Sequence, residues 1–178
     1  AFFAMFAFSP DKIALMVNYL SVFSSAFTVL FMFWSLTILL KKLIIGEKEL
    51  STNNAIMILG SAAVASLSFT FTDSFWYNAV EAEVYAMATF LIALLFWLGL
   101  RWEQELNTPR GNKWLLIISL VIGLSFGVHF MALLAFPAIG FLYFFKKYHN
   151  VTVKSFLIAN VVIIAILLFI FKLLLPYT

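Results

Sequence analysis

The sequence predicts an all-α fold, a polytopic bundle of transmembrane helices with about six crossings, and three observations carry that prediction. The chain of 178 residues is 65% hydrophobic and only 11% charged, with a mean hydropathy of +1.08. A soluble domain cannot bury that much apolar surface. Its charges fall in short clusters, and the runs between them approach or exceed the roughly 20 helical residues needed to cross about 30 Å of hydrocarbon.

The runs come in order. Residues 13–40 carry no charge and lie between Asp11-Lys12 and Lys41-Lys42. Residues 50–72 form the second run, 84–100 the third, closed by Arg101, and 155–171 the last. The third and fifth are short, and Trp, Tyr or snorkelling ends extend them. The fourth, 114–145, holds His129 as its one ionisable histidine. As one helix it would be about 48 Å long at 1.5 Å per residue, too long for an upright crossing.

Lys and Arg collect in cytoplasmic loops, and that rule resolves the fourth run. With Lys41, Lys42 and Lys48 inside, Arg101, Arg110 and Lys113 return there after one helical hairpin. Lys146, Lys147 and Lys154 join them only if 114–145 crosses twice, with a break near Gly127-Val128-His129. Nine of the eleven basic residues then lie on one side, with Lys12 and Lys172 the exceptions. Pro137 and Gly140 distort the second half, which neighbouring helices can compensate. Gly123 and Gly127 have the spacing that lets helices approach closely, and Asn18 and Asn160 are expected to bond between helices. Residues 1–178 read as one transmembrane domain. Because the chain starts at Ala and stops just after an apolar run, it is expected to be part of a longer membrane protein. It has no basic n-region or cleavage site of a signal peptide.

Composition also excludes classes of function. The net charge of +3 is explained by the loops. No basic face with interleaved aromatics offers a nucleic-acid surface. Cys is absent, which removes disulfides, a thiol nucleophile and Cys metal sites. One His among separated carboxylates lacks a metal-ligand spacing. There is no P-loop, dinucleotide fingerprint, HExxH or GxSxG, and no cofactor can be named from these residues.

The most informative stretch is 71–87, where Asp73, Glu81 and Glu83 stand between two spans without Lys or Arg. A carboxylate at a membrane boundary is costly unless it has water, a partner or a function. Asp73 reads as the cap of a short interfacial helix, followed by an aromatic belt of Phe75-Trp76-Tyr77. If a helix covers Glu81 and Glu83, they point about 200° apart, and Glu81 shares a face with Tyr85. The competing reading makes them solvated acids favoured by a helix dipole. His129 falls at the same boundary, as a hydrogen-bonding group or a partner for an anion. Asp73, Glu81, Glu83, Tyr85 and His129 are therefore the substrate-binding candidates.

Three segments carry a family resemblance. They are Asp11-Lys12-Ile13-Ala14-Leu15-Met16-Val17-Asn18-Tyr19-Leu20-Ser21, Thr72-Asp73-Ser74-Phe75-Trp76-Tyr77-Asn78-Ala79-Val80-Glu81-Ala82-Glu83-Val84-Tyr85-Ala86 and Gly123-Leu124-Ser125-Phe126-Gly127-Val128-His129. Together they resemble a bacterial membrane family long catalogued as a domain of unknown function. That family is similar to the protein O-mannosyltransferase-like members of the GT-C glycosyltransferases. The resemblance runs from about residue 11 to 147.

The resemblance implies a GT-C-like partial core in the bacterial inner membrane. It implies transfer of a mannose-like sugar from a polyprenyl-phosphate donor to a protein hydroxyl on the non-cytoplasmic side. The usual catalytic acid of such enzymes lies in the first outer loop. On this resemblance that base lies upstream of residue 1, the six crossings are the family's second to seventh, and residues 1–178 alone are expected to be inactive. Glu81 and Glu83 would shape the pocket, and His129 would sit near the phosphate. The alternative is non-enzymatic, a transporter or a structural subunit of a larger membrane assembly. Transport would favour carboxylates at the midplane on broken helices.

Overall fold

The computed structural model of the protein describes residues 5, 9–46, 48–148 and 150–174, with only the backbone of 130, 132, 173 and 174. The chain ends on which the expectation of a longer protein rests lie largely outside the described residues. The regular structure described is all helical: α1 Ile13–Ile44, α2 Thr52–Thr70, α3 Asp73–Val80, α4 Val84–Gln104, α5 Gly111–Ser125, α6 Ala135–Lys147 and α7 Val153–Leu174. Short 3-10 turns precede α1 at Pro10–Lys12 and α6 at Phe130–Leu134.

Among the described residues, four helices are long and apolar enough to cross a membrane: Pro10–Ile44, Thr52–Thr70, Val84–Gln104 and Val153–Lys172. Gly111–Ser125 is apolar but shorter. The chain is a helical integral membrane protein. The long fourth run is interrupted where charge sorting requires it. α5 stops at Ser125, and a turn follows in which Val128 N and His129 N donate to Ser125 O at 3.1 and 2.9 Å. The two pieces, α5 and α6, have 15 and 13 residues.

The chain divides into two compact units, Ala1–Leu133 and Leu134–Thr178. In the first, α1 turns inside out relative to a soluble helix. Its buried side chains are Ser21, Ser24, Ser25, Thr28 and Ser35, while Val22, Phe23, Phe27 and Trp34 are exposed. Lipid is as apolar as Leu, so burying an apolar side chain between helices gains little, and small residues that let backbones approach take the interface instead. Several hydroxyls donate to the carbonyl a turn back: Thr28 to Ser24 O at 2.9 Å and Ser66 to Ala62 O at 2.8 Å. Such bonds satisfy those hydroxyls in the apolar surroundings, whereas Ser25 Oγ, Ser35 Oγ and Asn18 Oδ1 are buried without a hydrogen-bond partner among the described residues.

α4 presents a buried stripe to its neighbours, Ala88, Leu91, Leu95, Leu98 and Trp102, at alternating spacings of three and four that make a helix seam. Its pairings with α1 advance together along the chain: Ser21 with Glu83, Phe27 with Phe90, Trp34 with Trp97 and Lys42 with Glu103. Each pair lies 61 to 63 residues apart, so α1 and α4 run parallel. α4 and α5 are antiparallel, since Tyr85 meets His129 and Trp97 meets Trp114. This unit therefore has an acidic end, with the 71–85 joint and His129, and a basic end, with Lys41, Lys42, Arg101 and Lys113. Local signals agree. Gly46 takes the left-handed φ of 60° just past α1, which glycine permits. Ser51 caps α2 by accepting from Asn54 N at 3.3 Å.

In the second unit α6 and α7 are antiparallel, with Phe156 stacked on Phe141 at 5.7 Å and on Phe145 at 6.3 Å. Thr152 and Ser155 cap α7 reciprocally, each side chain accepting from the other's backbone N at 2.9–3.2 Å, a capping box with Ser in the acid's place. Pro137 is the third residue of α6, where its missing N–H costs no helical bond.

Two expectations from the sequence are corrected. Gly123 has open space where a Cβ would be, and Gly127 meets only Leu124 O of its own turn, so neither marks a close helix approach. The close approach is at Gly140, whose Cβ would meet Ile163 Cδ1 at 3.1 Å and Cγ1 at 3.2 Å. Asn160 Nδ2 donates to Phe156 O of its own helix at 2.8 Å, because the carbonyl four residues back is always within reach in a helix. Gly140→Leu should then lower the melting temperature of the purified protein, since overpacking a tight contact costs about 1–3 kcal/mol. Combining it with Ile163→Ala should recover most of the loss. Equal melting of Gly140→Leu and the parent would contradict the contact.

Candidate functional site

The acidic joint is built by three helix ends. α2 finishes at Thr70, and the chain turns so that Thr72 becomes the N-cap of α3. The Thr72 hydroxyl donates to Phe69 O at 2.8 Å, and it makes no cap bond to α3. Asp73 is thus the first residue within α3 and not its cap, a correction to the sequence expectation. Its exposed carboxylate still lies where the helix dipole favours a negative charge. Phe75 is 6% exposed and sits 4.6 Å from Phe69, which anchors the short helix. Trp76 stacks on Phe71 at 6.5 Å and remains exposed with Tyr77. Of the three aromatics expected to form a belt, Trp76 and Tyr77 are thus exposed and Phe75 is buried.

α3 closes at Val80, and helix does not resume until Val84. Glu81 has φ −99° and ψ 144°, and Glu83 has φ −112° and ψ 159°. Both are extended and exposed, so the expected helical separation of about 200° and the shared face of Glu81 and Tyr85 do not arise. Glu83 is the N-cap of α4, and its backbone carbonyl accepts from Ser21 Oγ at 3.4 Å. That bond fixes the start of α4 against α1. Among the described residues no ion pair or hydrogen bond engages the carboxylates of Asp73, Glu81 or Glu83. The ion pairs described, Lys42–Glu103 and Arg101–Glu105, are at the other end.

His129 reaches this joint from the end of α5. Its ring centroid is 5.5 Å from that of Tyr85, at an interplanar angle of 53°. Its Nδ1 accepts from Met131 N at 3.1 Å. An imidazole nitrogen that accepts carries no proton, so the neutral ring has its hydrogen on Nε2. The backbone of the 3-10 turn thus selects the tautomer whose second nitrogen is a donor. Of the sequence candidates, Tyr85 and His129 are brought together, with Glu83 two residues ahead of Tyr85. Asp73 and Glu81 lie on the same joint, without contact to that pair among the described residues. No group of three His, Asp or Glu that could hold a metal occurs among the described residues.

The site offers an N–H donor, a phenol and acceptor carboxylates where an apolar bundle ends. Two features escaped the sequence reading. The Met131 amide that orients His129 carries no residue-type signal. The second is a cluster of Trp34, Trp97, Trp114 and Arg101 at the basic end, which interfacial enrichment of Trp could have suggested.

A family model described as the protein O-mannosyl-transferase TMEM260 N-terminal domain matches residues 1–152. No curated protein and no solved structure matches the chain. The match takes in α1 to α6, and with them both the acidic joint and His129. It agrees with the likeness to protein O-mannosyltransferase-like proteins carried by the three sequence segments. The chain therefore belongs to the protein O-mannosyl-transferase TMEM260 N-terminal domain family.

Proposed function

We propose that this chain forms part of a GT-C-type protein O-mannosyltransferase that takes its sugar from a polyprenyl-phosphate donor, and that the acidic joint with His129 faces the non-cytoplasmic side of a bacterial inner membrane. The observation that carries the reading is the fixed tautomer of His129. With Nδ1 engaged by Met131 N–H, Nε2–H is the donor, and beside it stands the Tyr85 ring. A donor phosphate at the membrane boundary needs such hydrogen bonds as its negative charge grows on departure of the sugar. Glu81 and Glu83 are acceptors, suited to sugar or acceptor hydroxyls. No residue of this chain is assigned as the base. The family match supports transferase chemistry and does not favour a transporter or structural subunit. The sorting of Lys and Arg supports the sidedness.

In the full-length protein, His129→Ala should weaken donor binding at least about tenfold, since a hydrogen bond to a charged group contributes about 1.5–3 kcal/mol. Its melting temperature should stay close to that of the parent. Glu83→Gln should slow transfer more than Glu81→Gln, because Glu83 borders Tyr85. Unchanged donor affinity in His129→Ala would overturn the phosphate contact. Sidedness has its own check. An impermeant thiol reagent on intact cells should label Ser74→Cys and spare Asn112→Cys, and the reverse pattern would refute it.

A further inference from the structure

The basic end of the first unit carries a second built feature, which the transferase reading does not use. Trp34 of α1, Trp97 of α4 and Trp114 of α5 line an open cleft of about 370 Å³ with Thr37, Ile38 and Arg101. Their rings form a continuous series, 5.5 Å from Trp34 to Trp97 and 6.0 Å from Trp97 to Trp114. The Arg101 guanidinium lies 5.5 Å from the Trp114 ring centroid. It is held there by donating to Gln104 Oε1 at 2.9 Å and to Glu105 Oε1 at 3.0 Å. A second cleft of about 260 Å³ adjoins it through Ile38 and is walled by Lys41, Lys42, Gly46, Glu103 and Gln104.

The charges around these clefts do not cancel. Lys42 pairs with Glu103 and Arg101 with Glu105. Lys41 is exposed and has no carboxylate partner among the described residues. Among the described residues, three cations therefore face two carboxylates. The walls are aromatic and aliphatic on one side and cationic on the other, the composition of a membrane boundary where Trp and Arg or Lys meet headgroups. Basic pockets between membrane helices at such a boundary suit anionic lipid heads. A zwitterionic head, whose own cation offsets its phosphate, would gain less from the unmatched cation.

We propose that the two adjoining clefts form a binding site for an anionic phospholipid of the leaflet at the basic end. Its phosphate lies between Lys41 and Arg101, and the first methylenes of one chain lie against Trp34 and Trp97. The site rests on neither the transferase activity nor its donor. The lipid would brace α1, α4 and α5 at the end opposite the acidic joint.

The test uses the whole chain in phosphatidylcholine vesicles, with Trp76→Phe removing the indole at the other end. Trp102 is 1% exposed, so the cleft indoles dominate what a lipid can quench. Brominated phosphatidylglycerol should quench more strongly than brominated phosphatidylcholine at the same mole fraction. Lys41→Gln, which breaks no described pair, should reduce that preference about fivefold, the effect of one surface Lys on an anionic lipid. Lys41→Glu combined with Arg101→Gln should abolish it, while Lys12→Gln at the other end should leave it intact. Millimolar inorganic phosphate should not relieve the quenching, which separates a lipid site from a phosphate site. Equal quenching by the two lipids would overturn the proposal, as would a preference that survives the double substitution or is relieved by phosphate. So would cleft indoles that neither lipid quenches, which would mean that protein covers them.

Discussion

The parallel seam of α1 and α4 is the contact on which the rest of the first unit depends. In water a helix earns its place by hiding Phe and Leu, but in lipid those side chains are already at home. α1 therefore turns its hydroxyls inward and leaves Phe23, Phe27 and Trp34 outside. The small inner face lets α4 come close enough for Ser21 to reach the Glu83 carbonyl. Once that register is set, Phe27 reaches Phe90, Trp34 reaches Trp97 and Lys42 reaches Glu103. A bulky residue at Ser21 or Ser24 would displace the seam, and with it both ends.

The two ends follow from that register together with the break after Ser125. The start of α4 is fixed against α1, so the acidic joint from α2 through α3 has one place to go. Antiparallel α5 then brings its own end back to the same place, and the turn at 126–129 presents His129 to Tyr85. At the far end the same packing gathers three Trp and Arg101 around a cleft. One end is rich in acceptors with an oriented imidazole donor, the other in cations and indoles. That polarity fits the proposed reading, in which the acidic end holds the donor and the basic end holds an anionic lipid.

The sequence made much of this legible. Run lengths and charge clusters located the four helices long enough to span, because hydrocarbon thickness and the cost of charge act on every residue in them. The break near His129 was also legible, since basic loops cannot be sorted without it. The joint itself was less so. The sequence does not say that helix stops at Val80 and restarts at Val84, because no Gly or Pro marks the interval and Glu81-Ala82-Glu83 is compatible with helix. Asp73 was misread as a cap because Asp is the better capping type, although Thr72, one residue earlier, is also one and takes the position. The glycine spacing at 123 and 127 was real, but whether a neighbour uses it is a tertiary fact. Gly140, which does meet a neighbouring helix, has no small residue four positions away to advertise it. The orientation of His129 depends on a backbone amide, which residue type does not encode.

The central claim is that the break after α5 returns His129 to the start of α4, so that one acidic end carries the candidate residues. The chain has no Cys, so a pair of introduced thiols reports without background. Tyr85→Cys with His129→Cys, in membranes holding the full-length protein and treated with a short bifunctional thiol reagent, should cross-link rapidly, given a ring separation of 5.5 Å. Tyr85→Cys with Asn112→Cys should not. If each thiol reacts with a monofunctional reagent but positions 85 and 129 never join, or if 85 joins 112 instead, the arrangement described for this bundle is wrong.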